Sequence, residues 1–86
     1  MKIFLYEFIG TFILLLAILA TQNTFFIAFA FLAAILIAGF SGSHINPVVT
    51  MVMKLKGNIP ASAVPEYILG QIAGAFVALQ VSKSFI

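Results

Sequence analysis

A run of small and polar residues interrupts an otherwise apolar chain and contains the groups best suited to chemistry. It spans residues 41–50 and reads SGSHINPVVT. Asn46 is a favourable helix N-cap, and Pro47 suits the first helical position, where its missing N–H costs nothing. On the Asn-Pro dipeptide alone, an ordinary turn between two helices is an equal alternative. If a helix does start here, its N-terminus carries about half a positive charge, and the Asn46 amide adds two hydrogen-bond donors.

The composition places this run in a membrane protein. Hydrophobic residues make up 64% of the 86 residues and charged residues 7%, with a mean hydropathy of +1.27. We therefore expect an integral, multi-pass membrane protein in contact with the lipid bilayer. The chain has no cysteine and no arginine, and its four lysines are scattered. A disulfide framework, a thiolate site and nucleic-acid binding accordingly have little support.

Three apolar stretches predict three transmembrane helices, at about residues 3–23, 24–40 and 61–82. The polar residues 21–24 can turn at a membrane surface between the first two. No linker or low-complexity tract divides the chain, so residues 1–86 are expected to form a single membrane unit.

The segment between the second and third stretches is too apolar for a loop. Residues 47–55 continue an apolar helix that ends at Lys54, Lys56 and Gly57. At ~1.5 Å per residue it reaches roughly 15 Å, half of the ~30 Å hydrocarbon core. Residues 41–56 are therefore predicted to form a re-entrant loop and a half-helix that starts near the midplane, after extended backbone over residues 39–45. The expected fold is all-α, with three transmembrane helices and one re-entrant half-helix.

Three motifs in order resemble the aquaporin, or major intrinsic protein, family. They are SGSHINPVVT at residues 41–50, EFIGTF at residues 7–12 and YILGQIAGA at residues 67–75. The resemblance covers nearly the whole chain and corresponds to the first half of a family protein, a single aquaporin-like repeat. It implies a passive channel for water or small neutral solutes such as glycerol, without enzymatic activity or a cofactor.

Two departures from the family pattern bear on this function. Val48 stands where the family usually has alanine, which adds bulk at the mouth of the half-helix. Family channels enclose their pore between two inverted repeats, and the second repeat supplies a filter arginine that this chain lacks. The resemblance thus implies a homo-oligomer or a complementary second-half chain, and a non-conducting half-channel or partner subunit is the alternative.

The candidate site residues follow from the motifs. Pore-lining or selectivity positions are Asn46, Pro47, Val48, His44 and Phe26, where Phe26 matches an aromatic filter position of the family. The resemblance implies that Glu7 and Gln71 brace the re-entrant backbone, and Thr50 is grouped with them. A carboxyl group inside a span is also a candidate for proton transfer, so a small proton-coupled exporter using Glu7 is a less favoured alternative. His44 has no second ligand nearby in sequence, so no metal site is expected.

Small residues in the third span predict a close helix contact. Gly70, Gly74 and Ala78 recur at four-residue spacing, a pattern that lets another helix approach closely, either within one chain or between chains.

The family places its N-terminus in the cytoplasm, which would put three of the four lysines inside. We therefore expect a cell inner-membrane protein with a cytoplasmic N-terminus.

Overall fold

A computed structural model describes residues 2–85, and all regular secondary structure in that range is helical. Four α-helices and two short 3₁₀ turns follow one another along the chain. The helices are α1 Lys2–Ala20, α2 Thr24–Ile37, α3 Pro47–Lys56 and α4 Val64–Phe85, and the 3₁₀ turns are Ala38–Ser41 and Ala61–Ala63. Three helical stretches are long and apolar enough to cross a membrane: Lys2–Ala20, Thr24–Ser41 and Ala61–Phe85. The predicted all-α membrane fold class is confirmed.

The connections fix which ends of the helices share a membrane face. Only residues 21–23 separate α1 from α2, and Asn23 caps α2 by accepting a hydrogen bond at Oδ1 from the Phe26 N–H at 2.9 Å. The short turn makes α2 run back beside α1, and α3 then returns to the face at which α1 began. Lys2, Lys54 and Lys56 lie on that side, which we call the basic face.

The segment before the half-helix differs from the extended backbone expected over residues 39–45. Ala38–Ser41 continues α2 as a 3₁₀ turn, and the irregular backbone is confined to residues 42–46. The turn is closed by Gly42 N–H to Gly39 O at 3.1 Å and Ser43 N–H to Ala38 O at 3.2 Å. Backbone groups at membrane depth require internal partners, so a tighter turn of helix replaces the open strand.

Burial in this fold is reversed relative to a water-soluble protein. The largest side chains that are completely buried are Glu7 and Thr50. Phenylalanines such as Phe25, 86% exposed, and Phe40, 81% exposed, project outward. An apolar exterior around a polar interior is the arrangement expected where lipid is the solvent.

Helices α1 and α4 cross closely because α4 carries glycine at the crossing. A Cβ atom at Gly70 would lie 2.7 Å from Phe4 O, and one at Gly74 would lie 2.5 Å from Phe8 O. Ala78, the third small residue of the series, is completely buried. At Gly70 and Gly74, the small residues of α4 therefore serve packing within the chain.

A methyl group at this crossing tests how closely the helices approach. We expect Gly74→Ala to lower the free energy of unfolding by about 1–3 kcal/mol, because the new Cβ meets backbone that cannot rotate away. Gly39→Ala is the matched control, since no atom lies within 4 Å of its added Cβ. Thermal unfolding in detergent, followed by far-UV circular dichroism, gives both values. Equal losses for the two variants would contradict the close crossing.

Candidate pore-lining site

The carboxylate of Glu7 is the centre of the polar interior. Its Oε2 accepts hydrogen bonds from Ser41 Oγ at 2.6 Å and from the His44 N–H at 3.1 Å. Its Oε1 accepts from the Ile45 N–H at 2.7 Å and from Gln71 Nε2 at 3.0 Å. The side chain is completely buried. Four donors offset the cost of burying a carboxylate, and they connect α1 to both the re-entrant segment and α4.

The re-entrant segment adopts an unusual backbone conformation. Gly42, Ser43 and Ile45 have φ values of 96°, 57° and 57°. Positive φ is uncommon for non-glycine residues and a clear outlier for a β-branched one such as Ile45. The short hydrogen bond from the Ile45 N–H to the Glu7 carboxylate holds this conformation from one side.

Packing holds the same residue from the other side. The Ile45 side chain is 6% exposed and belongs to the buried cluster with Ala34 and Ala38. A Cβ added to Gly10 would lie 3.2 Å from Ile45 Cδ1 and 3.0 Å from Ala38 Cβ. The glycine therefore makes room for the loop to seat against α1, and Ile45 anchors the backbone just before the half-helix.

The direction of the loop carbonyls follows from this clamp. The described chain has no cis peptide bonds, so each carbonyl points opposite to the N–H of the next residue. Because the N–H groups of His44 and Ile45 point at Glu7, the carbonyls of Ser43 and His44 point away from it. Neither carbonyl accepts a hydrogen bond within the described part of the chain. They are free to accept hydrogen bonds from a solute.

A second set of contacts fixes the His44 side chain. Its ring stacks on Tyr67, with centroids 4.1 Å apart and an interplanar angle of 11°. Its Nδ1 lies 3.0 Å from Thr50 Oγ1, which also accepts from Gln71 Nε2 at 3.0 Å. The Tyr67 hydroxyl donates to the carbonyl of Ser41. The loop, the half-helix and α4 are thereby joined through side chains.

Asn46 caps the half-helix α3 and keeps part of its amide free. Its Oδ1 accepts from the Val48 N–H at 2.8 Å, while its Nδ2 makes no hydrogen bond within residues 2–85. The residue is exposed. At the other end, Gly57 closes α3 in the left-handed conformation, with Lys54 and Lys56 in the last turn. The positive end of the helix dipole and a free amide donor thus meet at the tip of α3.

Two hollows lie on either side of this tip. A groove of about 340 Å³ begins at Asn46 and Pro47 between α1 and α4, and it continues as an apolar groove of about 360 Å³ as far as Leu19 and Leu79. We call the two together the midplane groove. On the other side, a cavity of about 400 Å³ opens toward the basic face and is lined by residues that include Gly42, His44, Met53, Asn58 and Tyr67. We call it the basic-face cavity.

The predicted site residues do not all fall together. Six of them lie at the tip of α3 or in the hydrogen-bond network that holds the loop before it: Asn46, Pro47, His44, Glu7, Gln71 and Thr50. Val48 stands beside Asn46 with its side chain 67% exposed. Phe26 lies elsewhere, in a hollow between α1 and the start of α2. No cluster of three or more metal-ligating side chains occurs among residues 2–85.

Sequence reasoning missed four residues that support the loop. Ser41 donates a hydrogen bond to Glu7, and Tyr67 stacks on His44. Gly10 makes room for the loop, and Ile45 anchors it. Tyr67 was detectable in principle, because it lies four residues before Gln71 and so shares its helix face. No feature of the sequence indicates the positive φ of Ile45.

Comparisons with known proteins agree with the motifs. The profile of a family described as Major intrinsic protein matches residues 23–86. The chain is 38% identical over 96 residues to "Glycerol uptake facilitator protein-like 6" of Lactiplantibacillus plantarum, covering all of this chain and 44% of that protein. It is 38% identical over 91 residues to "Aquaglyceroporin-2" of Rhizophagus irregularis, covering 87% of this chain and 29% of that protein. The chain thus spans less than half the length of these relatives. No solved structure matches it significantly.

Replacing the central carboxylate tests how much of the site depends on it. We expect Glu7→Gln to lower the free energy of unfolding by about 2–4 kcal/mol, because one oxygen becomes an amide nitrogen that faces donors. Ser41→Ala removes only one of the four donors and should cost about 1 kcal/mol. Thermal unfolding in detergent measures both. A Glu7→Gln variant no less stable than Ser41→Ala would show that the four bonds do not act as a unit.

Proposed function

This chain belongs to the major intrinsic protein family, and we propose that it forms one half of a passive channel for water or small neutral solutes. Relatives named as glycerol uptake facilitators and aquaglyceroporins support this solute class. The chain spans only part of the length of these relatives, so a complete pore would need a complementary half.

The arrangement at the tip of α3 is the observation that carries the proposal. A solute there meets the free Nδ2 donor of Asn46 together with the outward carbonyls of Ser43 and His44. Such a lining replaces the hydrogen bonds that a neutral solute leaves behind in water. The positive end of the α3 dipole disfavours cations at the same point. Flow of neutral solute without ion current is the expected behaviour.

The midplane groove supports the need for a complementary half. The half-helix α3 runs from Asn46 to the basic face, and the groove runs from Asn46 the other way, between α1 and α4. No residue among 2–85 fills the midplane groove, and the lining of its outer part is almost wholly apolar. A transmembrane segment of another protein chain would therefore fit there. We propose that an inverted repeat, from a second copy or a complementary chain, seats its own half-helix there.

The contacts of Glu7 bear on the alternative functions. A proton carrier needs a carboxyl group that can exchange protons with water, whereas Glu7 is completely buried and holds four donors. This favours a bracing role over a proton-coupled exporter. A non-conducting half-channel or partner subunit is the remaining alternative, and it predicts no flux from this chain alone.

We propose an orientation with the basic face in the cytoplasm of an inner membrane. Lys2, Lys54 and Lys56 lie on that face, and Lys83 lies near the opposite end of α4. Three lysines against one agree with the positive-inside rule. The N-terminus is then cytoplasmic.

Reconstitution with two matched asparagine variants tests the channel. Proteoliposomes of this chain should shrink faster than empty vesicles in stopped-flow light scattering under a water or glycerol gradient. Asn46→Asp keeps a good helix cap but loses the amide donor, so we expect flux to fall on the order of tenfold. Asn23→Asp preserves the cap of α2 away from the site and should leave flux unchanged. Traces equal to empty vesicles for all three proteins would favour the non-conducting half-channel. Uptake of protons that is lost in Glu7→Gln would instead favour an exporter.

The size of residue 48 is expected to set solute preference. Val48→Ala removes two methyl groups beside Asn46 and should raise the ratio of glycerol to water flux on the order of tenfold in a conducting preparation. Val52→Ala, one turn further along α3 and also half-exposed, is the control and should leave the ratio unchanged. If both variants change the ratio equally, Val48 does not line the path.

A further inference from the structure

The two methionines of α3 have different surroundings. Two residues along an α-helix lie about 200° apart around its axis, so Met51 and Met53 point to opposite sides. The Met51 side chain is 54% exposed and shares an apolar stripe with three other exposed side chains, Val48, Val52 and Leu55. Met53 is partly buried and is one of the residues that line the basic-face cavity. The stripe therefore suits lipid or protein, whereas Met53 faces a hollow that opens toward water.

The basic-face cavity suits small polar molecules. Its volume of about 400 Å³ exceeds what one water needs. Polar side chains contribute much of its lining, among them Ser41, His44, Asn58 and Tyr67. Hydrogen peroxide is uncharged, forms hydrogen bonds and is only slightly larger than water, so a cavity that admits water also admits hydrogen peroxide.

The sulfur of Met53 has a polar partner that the backbone holds in place. The Asn58 N–H donates to Met53 O at 2.9 Å and the Gly57 N–H to Lys54 O at 3.1 Å, which is the Schellman pattern of a helix end. An apolar contact between the side chains at the positions of Asn58 and Met53 commonly accompanies this pattern. Here the amide Nδ2 of Asn58 instead donates to Met53 Sδ at 3.5 Å. A hydrogen-bond donor is thus fixed beside the sulfur.

We propose that Met53 is a site of oxidation by hydrogen peroxide entering the basic-face cavity, and that Asn58 holds the resulting sulfoxide. A lone pair of Sδ attacks one peroxide oxygen, the S–O bond forms and the O–O bond breaks. The departing hydroxide takes the proton of the transferred oxygen and leaves as water. The sulfur loses the two electrons that the peroxide gains. Methionine sulfoxide reductases reverse this modification.

The sulfoxide has a ready partner in Asn58. Its oxygen is a much stronger hydrogen-bond acceptor than a thioether sulfur, and oxidation turns a flexible apolar side chain into a polar one. Because Met53 and Asn58 both line the cavity, the added oxygen and its bond to Nδ2 reduce the open space between them. The effect on solute flow rests on the proposed channel function, whereas the site of oxidation does not.

The order in which the two methionines are oxidised tests the site. The protein carries ¹³C-methyl methionine in lipid bilayers, and nuclear magnetic resonance follows each methyl signal after hydrogen peroxide is added. Met51→Leu and Met53→Leu assign the signals, and circular dichroism checks that both variants fold. We expect Met53 to be oxidised on the order of tenfold faster than Met51, because peroxide reaches the cavity and is scarce at the apolar stripe. Exposed area alone predicts the reverse, so equal rates or a faster Met51 would overturn the proposal.

The side-chain amide of Asn58 reports whether the sulfoxide is held. In protein labelled with ¹⁵N-asparagine, its Nδ2 proton should shift as Met53 is oxidised, because a sulfoxide oxygen replaces sulfur as the acceptor. The amide of Asn23, at the start of α2, is the reference and should not shift. The change should be absent in Met53→Leu. An Asn58 amide that stays unchanged while Met53 is oxidised would refute the bond to the sulfoxide.

Flux before and after oxidation tests the effect on the cavity. Peroxide treatment should lower solute flux several-fold in proteoliposomes of the unmodified chain, because the added oxygen narrows the approach to α3. Met53→Leu should keep its own flux after the same treatment, and an equal loss in both proteins would refute narrowing at Met53. Vesicles that do not conduct before oxidation would contradict the channel function, and the order of methyl oxidation would still decide the site.

Discussion

The buried carboxylate of Glu7 is the constraint on which the rest of the structure depends. A re-entrant segment exposes peptide groups at a depth where lipid offers no hydrogen bonds. Glu7 accepts two of those N–H groups and two side-chain donors, and in doing so it turns the opposite faces of the same peptides toward open space. The contacts of Glu7 thus offset the free-energy cost of burying the loop's N–H groups, and they turn the loop's carbonyl groups toward a solute.

The glycines of α1 and α4 make that interaction possible. Gly70 and Gly74 bring α4 against the backbone of α1, which places Gln71 within reach of Glu7. Gly10 leaves room for Ile45, whose side chain pins the loop in its left-handed conformation. Close packing of α1 and α4 therefore supports the polar network, since the contact between Gln71 and Glu7 would be lost if the two helices crossed at a greater distance.

Much of the fold was accessible from the sequence, because its signals are local. Asn46, Pro47 and Gly57 mark the two ends of α3, and apolar run lengths predict the three long helices. The backbone over residues 38–45 was not predictable in the same way. Gly42 and the serines on either side of it indicate a break, but whether the chain before them extends or tightens into a 3₁₀ turn depends on partners in other helices. The left-handed Ile45 runs against its own propensity and is dictated by Glu7, 38 residues away.

The bond between Gln71 and Glu7 joins residues 64 positions apart, and this separation has a consequence for biogenesis. The loop obtains its full set of partners only once the last helix of the unit has been synthesised. Until then, the carbonyl of Ser41 lacks the hydroxyl of Tyr67, and the Glu7 carboxylate lacks the amide of Gln71. We therefore expect the long helices to enter the bilayer first and the re-entrant segment to settle between them once α4 has docked.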